Sequence, residues 1–252
     1  MGSLSSFLLP FAAGLVGGAM NALAGGGTFA TLPALIAIGL PANIANATSN
    51  VALLPGAAAS ALAFRDEAGP VGRVPLSVLM GITFVGGLAG SVLLVVTPTR
   101  VFDLVIPWLL LFALVALAFG LQASAWLHAR MTIGPRALVA AQALLGVYGG
   151  YFGGGIGLMM TAVFGLLAAV SPRQMFAPRT ILLATANAAA AVVFVLGGFV
   201  RWPAAVPMLV GGAIGGWFGA QVGRRLPPGA VRAWTLLVTA ATTAVFFARA
   251  YG

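Results

Sequence analysis

Asn21-Ala22-Leu23-Ala24-Gly25-Gly26-Gly27-Thr28 interrupts an apolar run with three consecutive glycines, and Gly153-Gly154-Gly155 repeats the interruption in the second half of the chain. Three glycines present a backbone without Cβ atoms, free to adopt φ > 0 and open to close approach by a ligand. In hydrocarbon such a break leaves N–H and C=O groups unpaired at several kcal/mol each. It is therefore expected only where protein or a water-filled cavity surrounds it.

The surroundings are those of a membrane protein. Of 252 residues, 61% are hydrophobic and 6% charged, with a mean hydropathy of +1.10. A soluble domain carries about 25% charged residues to cover its surface. This chain has too few, so its surface faces lipid. Apolar segments continue to the end, so the first reads as a span or half-span of the mature protein, not a signal peptide. With no cysteine, disulfides, thiolate chemistry and Cys-based metal sites are excluded. The net charge of +9 comes from arginines scattered singly between apolar runs. That is the pattern of topogenic loop charges, not of a face that binds nucleic acid.

Ten apolar segments can be marked: 4–24, 28–40, 42–63, 74–97 and 103–122, then 135–152, 156–170, 178–199, 203–222 and 230–250. A full span needs about 20 apolar residues. Segments 28–40 and 156–170 are short for that, and each follows a glycine triplet. The two halves correspond. Gly14-Leu-Val-Gly17-Gly18 aligns with Gly146-Val-Tyr-Gly149-Gly150, and triplet with triplet. Thr48-Ser49-Asn50 aligns with Thr185-Ala186-Asn187, and Gly86-Gly87-x-x-Gly90-Ser91 with Gly215-Gly216-x-x-Gly219-Ala220. Four matches in one order predict two repeats, residues 1–122 and 135–252, joined by a loop at 123–134 into one transport unit.

Counting five crossings per half, loops 64–73, 123–136, 171–179 and 223–232 share one side. They hold nine of the twelve arginines, so the positive-inside rule makes them cytoplasmic and places both termini outside the cell membrane. Five is odd, so the second repeat is inverted relative to the first. The predicted fold is an all-α, multi-pass integral membrane protein of two inverted repeats, each with a glycine-broken hairpin. Inverted repeats with interrupted helices are an architecture of secondary transporters, with substrate held near the midplane.

A helix starting at Thr28 or Ile156 would aim free N–H groups and its positive dipole end at the break, which suits an anion. The candidate substrate-binding residues are Asn21, Gly25, Gly26, Gly27, Thr28, Asn46, Thr48, Ser49 and Asn50 in the first half. In the second they are Gly153, Gly154, Gly155, Arg179, Thr185 and Asn187. Asn46 and Asn50 are i and i+4 on one helix face, with Asn43 a turn before. Their neutral amides can donate to an oxyanion. The alternative is that these groups bind helices together or satisfy freed backbone. The isolated Gly-Gly pairs read as close-packing devices, and Thr161 as a residue that binds helices together or satisfies freed backbone. Arg179 is placed just inside the eighth segment, where it either meets substrate or snorkels. Gln142 is a weaker candidate. Tyr148, Tyr151 and Phe152 either wall a pocket or simply pack.

The acids are few. Asp66 and Glu67 fall in a loop, and Asp103 at a segment start, where it is expected to cap a helix. None lies mid-membrane, so a proton relay of buried carboxylates is not expected. Lone His128 is read as a loop residue without metal partners. With no nucleophile–base pair, an enzyme is not expected, nor is any cofactor or metal.

The order Gly14-x-x-Gly17-Gly18, Gly25-Gly26-Gly27, Pro33, Ala47-Thr48-Ser49-Asn50 and its second-half partner resembles the TauE/SafE/YfcA family of sulfite exporters and anion permeases. The resemblance runs over essentially the whole chain and implies export of sulfite or a small organosulfur anion such as sulfoacetate. The residues alone leave open uptake of another anion, such as a carboxylate, and a passive anion channel. They also leave open a homodimer, because glycine faces serve internal packing and dimer interfaces alike.

Overall fold

The computed structural model describes residues 2–128, 134–168, 170, 172–223 and 226–252. Among them, ten α-helices run in order: α1 (Gly2–Ala24), α2 (Thr28–Ala37), α3 (Ala42–Ala63), α4 (Leu76–Val96) and α5 (Thr99–His128), then α6 (Pro135–Tyr151), α7 (Ile156–Ala168), α8 (Pro172–Leu196), α9 (Trp202–Gly223) and α10 (Pro228–Tyr251). Among the described residues the only extended pairing is an isolated bridge between Val71 and Val74.

Proline and glycine set many of the boundaries. Pro41, Pro75 and Pro227 immediately precede α3, α4 and α10 with ψ of 143°, 141° and 136°. Proline fixes φ, and its missing N–H costs nothing where a helix begins. Gly39 (φ 91°) closes α2, with Leu40 N–H donating to the Leu35 carbonyl at 3.2 Å and Gly39 N–H to Ile36 at 2.9 Å. Gly198 (φ 71°) closes α8 in the same way, through Phe199 to Phe194 and Gly198 to Val195. Both ends satisfy helix carbonyls that would otherwise be unpaired in an apolar setting.

Among the described residues, four helices are long and apolar enough to cross a membrane by length and composition: α4, and the segments Thr99–Gly120, Gln174–Leu196 and Gly229–Tyr251 of α5, α8 and α10. Outward-facing side chains are large and apolar, including Val85, Val96, Phe112, Phe119, Leu144, Leu196 and Trp217. This is a lipid-facing surface. The span of α8 is 56% buried against 28% for those of α5 and α10. Together with α3, whose buried face runs from Ala42 to Leu53 and on to Ala57, α8 forms the centre of the bundle. The chain's polar side chains concentrate there, sheltered from lipid.

Glycine governs how closely the helices approach. Along α4 and α6, a Cβ on Gly90 would strike the Val147 carbonyl, and one on Gly150 the Gly87 carbonyl. Along α1 and α9, Cβ atoms on Gly14, Gly18 and Gly215 would strike the carbonyls of Met208, Gly212 and Leu15. These backbones touch only because the residues lack side chains. Two Gly-Gly pairs, Gly86-Gly87 and Gly149-Gly150, are therefore packing devices at both positions, and Gly17-Gly18 and Gly215-Gly216 contribute Gly17, Gly18 and Gly215 to the same end.

The packing is regular across the halves. Helix α1 packs on α9 and α6 on α4; α3 packs on α9 and α8 on α4; α5 packs on α7 and α10 on α2. Exchanging each helix of the first five with its counterpart in the last five maps these contacts onto one another, and α3·α8 and α5·α10 onto themselves.

Several boundaries differ from the sequence reading. Helix α8 begins at Pro172, not 178, so Arg179 lies about two turns inside it. A proline within a membrane helix is tolerated where neighbours re-satisfy the backbone, so Pro178 is no boundary. Helix α5 starts at Thr99 and runs to His128, which narrows the expected 123–134 loop and puts His128 in helical backbone. Asp103 sits one turn inside α5 and approaches Arg249 at 4.0 Å instead of capping. Asp66 and Glu67 lie in a single 3-10 turn, Arg65–Glu67. Arg130, Arg224 and Arg225, and the side chains of Trp126, His128 and Arg173, lie outside the described residues.

Candidate functional site

Each glycine break is a helix end followed at once by a helix start. Helix α1 ends with Gly25 at φ 78°, its N–H donating to the Asn21 carbonyl at 2.9 Å. Only glycine adopts this left-handed cap without strain. Three residues later α2 starts at Thr28 without a side-chain cap. Helix α6 ends at Tyr151, and Gly153 and Gly155, both at φ 74°, lead into α7. With 10 and 13 residues, α2 and α7 are about 15 and 20 Å long, against a hydrocarbon core of about 30 Å.

The two breaks meet. A Cβ on Gly25 would lie 2.9 Å from Cα of Gly157 in the first turn of α7. One on Gly155 would lie 2.8 Å from the Phe29 ring in the first turn of α2. All six glycines are buried. Among the described residues, the N–H groups of Gly26, Gly27, Thr28, Gly154 and Gly155 donate to no backbone carbonyl. Two helix N-termini thus share one buried region, each contributing N–H groups with no backbone acceptor among the described residues and the positive end of a dipole.

The α3 polar face lies against these breaks. Asn46 is 1% exposed and donates from Nδ2 to the Tyr151 carbonyl at 3.1 Å, at the end of α6. Asn50 donates from Nδ2 to Oδ1 of Asn187 on α8 at 3.3 Å. The same Nδ2 is 3.3 Å from where a Gly153 Cβ would be. Ser49 is hydrogen-bonded to Thr31 at 2.5 Å, and Thr31 in turn donates to the Gly27 carbonyl at 3.2 Å. Asn21, half-buried on α1, lies against Gly27, whose Cβ position is 3.0 Å from the Asn21 Cβ. Thr28 is buried at the first position of α2.

Other candidates are hydrogen-bonded elsewhere in the fold. Thr48 accepts a bond from the Arg201 N–H at 3.0 Å, tying α3 to the start of α9. Thr185 is bonded back to the Ile181 carbonyl at 2.8 Å within its own helix. Gln142 donates to Thr83 at 2.7 Å and braces α6 against α4, away from the breaks. Asn43 accepts from Thr99 at 3.1 Å and braces the starts of α3 and α5.

Arg179 is 9% exposed. Its Nη1 donates to Thr161 Oγ1 at 3.3 Å, and its guanidinium lies 4.9 Å from the Phe176 ring centre. Thr161 donates to the Gly157 carbonyl at 2.9 Å. A chain of contacts therefore runs from a buried cation to the residue that touches Gly25. No carboxylate among the described residues pairs with Arg179.

Sequence reading passed over Thr31 and Thr242, and left Tyr148 between walling a pocket and packing. Thr31 follows Gly27 by four residues, so helical spacing alone put its hydroxyl beside that carbonyl. Tyr148 is a latch: its hydroxyl donates toward the Gly154 carbonyl at 2.7 Å, with the Leu109 carbonyl at 3.3 Å. Thr242 on α10 donates to the Phe29 carbonyl at 3.2 Å. Nothing local in the sequence marks that bond.

The family model described as Sulfite exporter TauE/SafE matches residues 10–246. The chain belongs to the TauE/SafE family. Among TauE/SafE relatives, the Escherichia coli K12 protein named "Probable membrane transporter protein YfcA" is 31% identical over 219 residues, 86% of this chain and 78% of that one. A Sinorhizobium protein, "Probable membrane transporter protein ORF9", is 30% identical over 220 residues, 85% of this chain and 80% of its own. A "Probable membrane transporter protein" of Haemophilus influenzae is 26% identical over 226 residues, 84% and 83% of the two chains. No solved structure gives a significant match. This TauE/SafE chain is a multi-pass membrane transporter.

Proposed function

We propose that this transporter exports sulfite or a small organosulfur anion such as sulfoacetate, by alternating access between two inverted five-helix repeats. The observation that carries the reading is the meeting of the two breaks, Gly25 against Gly157 and Gly155 against Phe29. An anion between them would be met by backbone N–H groups and two positive dipole ends, with no buried cation in direct contact. The second N–H of each of the Asn46 and Asn50 amides remains for the same task. Arg179 sets the field on the approach from the cytoplasmic side, and the positive-inside count gives the orientation, termini outside. The exchange of packing partners between helix sets supports two repeats, and an odd number of crossings per set makes them inverted. The sulfur anion and the outward direction come from the family description.

Transport in proteoliposomes tests the reading. Loaded sulfite or sulfoacetate should leave at a saturable rate, while acetate at equal concentration should not. Movement of acetate but of neither sulfur anion would sink it, and rates above about 10⁵ s⁻¹ would indicate a channel, since gating steps take microseconds to milliseconds.

A further inference from the structure

Two buried oxygens beside the second break have no hydrogen-bond partner among the described residues: Oδ1 of Asn46 and Oδ1 of Asn50. Their residues are 1% and 6% exposed. The assignment at Asn46 is fixed by chemistry. Its Nδ2 meets the Tyr151 carbonyl, which only accepts, so its other end is an acceptor. Unpartnered buried acceptors are costly and call for a donor or a cation, not for an anion.

More oxygen lies close by. The position a Cβ would take on Gly153 is 3.2 Å from the Gly149 carbonyl oxygen and 3.3 Å from Nδ2 of Asn50. Glycine keeps that point free of side chain. The Tyr148 carbonyl accepts both Phe152 and Gly153 N–H groups. The Gly149 and Gly150 carbonyls accept no backbone bond from beyond the helix end among the described residues. They form the negative end of the α6 dipole. Neutral oxygens at a helix C-terminus, with no carboxylate, suit a monovalent ion; a divalent ion of this kind requires carboxylates. Broken helices in transporters divide labour in this way, with N-termini facing the anionic substrate and freed carbonyls facing the coupling ion.

We propose that Asn46 Oδ1, Asn50 Oδ1 and the α6-terminal carbonyls of Gly149 and Gly150 form a sodium site, next to the proposed anion. The coupling role rests on the anion reading above, but occupancy by sodium does not. A cation there neutralises the anion at the α7 N-terminus, so each favours binding of the other. Asn187 positions Asn50 and is not itself a ligand.

The test is thermal unfolding of the full-length protein in detergent without any sulfur anion, in sodium chloride and in choline chloride at equal concentration. Sodium should give a saturable rise of about 3–5 °C at roughly ten times its dissociation constant. The Asn46→Leu variant should lose that rise while its unfolding in choline remains cooperative. Equal unfolding temperatures of the wild type in sodium and choline would overturn the site, as would an undiminished sodium rise in Asn46→Leu. Should Asn46→Leu not fold, equilibrium binding of radioactive sodium to the wild type decides, since its absence rejects the proposal and saturable uptake supports it. Anion-dependent stabilisation in choline alone is read separately, so failure of the sodium site and failure of the anion reading are distinguishable.

Discussion

The amide of Asn50 on α3 donates to the side-chain oxygen of Asn187 on α8 at 3.3 Å, joining the two positions that align between the halves of the chain. The bond ties the two most sheltered helices at the level of the second glycine break. It also fixes the Asn50 amide beside Gly153, so the pair braces the two helices next to the second break.

Removing one partner should therefore cost more than removing both. Asn187→Leu leaves the buried Asn50 amide without its acceptor and should destabilise by about 1–3 kcal/mol. In the double variant Asn50→Leu, Asn187→Leu the orphaned group is gone. A coupling energy of about 1 kcal/mol is expected from the double-mutant cycle, in the range found for hydrogen bonds between membrane helices. Strictly additive melting data would mean that the amides do not interact.

Much of the architecture was open to inspection in the sequence, because membrane helices are bounded by physical rules acting locally. The segment 42–63 coincides with α3, and each short segment after a triplet is a short helix. Boundaries failed where a local signal was overridden by surroundings, as at Pro178 inside α8. Side-chain partners were less legible. Asn46 and Asn50 were visible as one face, but Tyr151 and Asn187, which take up their donors, lie more than a hundred residues away in the chain. Thr48 and Thr185 share residue type and alignment with the site, yet their hydroxyls are bonded elsewhere. Composition cannot reveal such a choice.

The packing role of glycine can be separated from its role at the breaks. Gly90 and Gly81 both lie in α4. A Cβ on Gly90 would strike the Val147 carbonyl, whereas nothing lies within 4 Å of one on Gly81. Gly90→Ala should destabilise by about 2 kcal/mol or more, because backbone cannot yield as a side chain does. Gly81→Ala should be neutral or stabilise by up to about 1 kcal/mol through helix propensity. Equal effects in thermal unfolding would contradict the close approach of α4 and α6.

Arg179 offers a test of the approach path. Arg179→Gln removes the charge but keeps a donor for Thr161, so the fold should persist while the concentration for half-maximal transport rises about tenfold. Thr161→Val removes only the hydroxyl partner and should shift it less. Initial rates in proteoliposomes across a substrate series give both numbers. A larger effect in Thr161→Val would move the role from charge to helix packing.

The meeting of the two helix starts is tested most directly by anion-dependent thermal stabilisation, compared among the wild type, Gly26→Val and Gly154→Val. Neither glycine has positive φ, and the nearest atoms to an added Cβ belong to the side-chain rings of Phe29 and Phe152, not to backbone. The variants should fold but obstruct the N–H groups. Sulfite or sulfoacetate should raise the wild-type unfolding temperature saturably, and both variants should lose that rise. An unaltered rise in both would show that the anion binds elsewhere and that the breaks serve only to pack the helices.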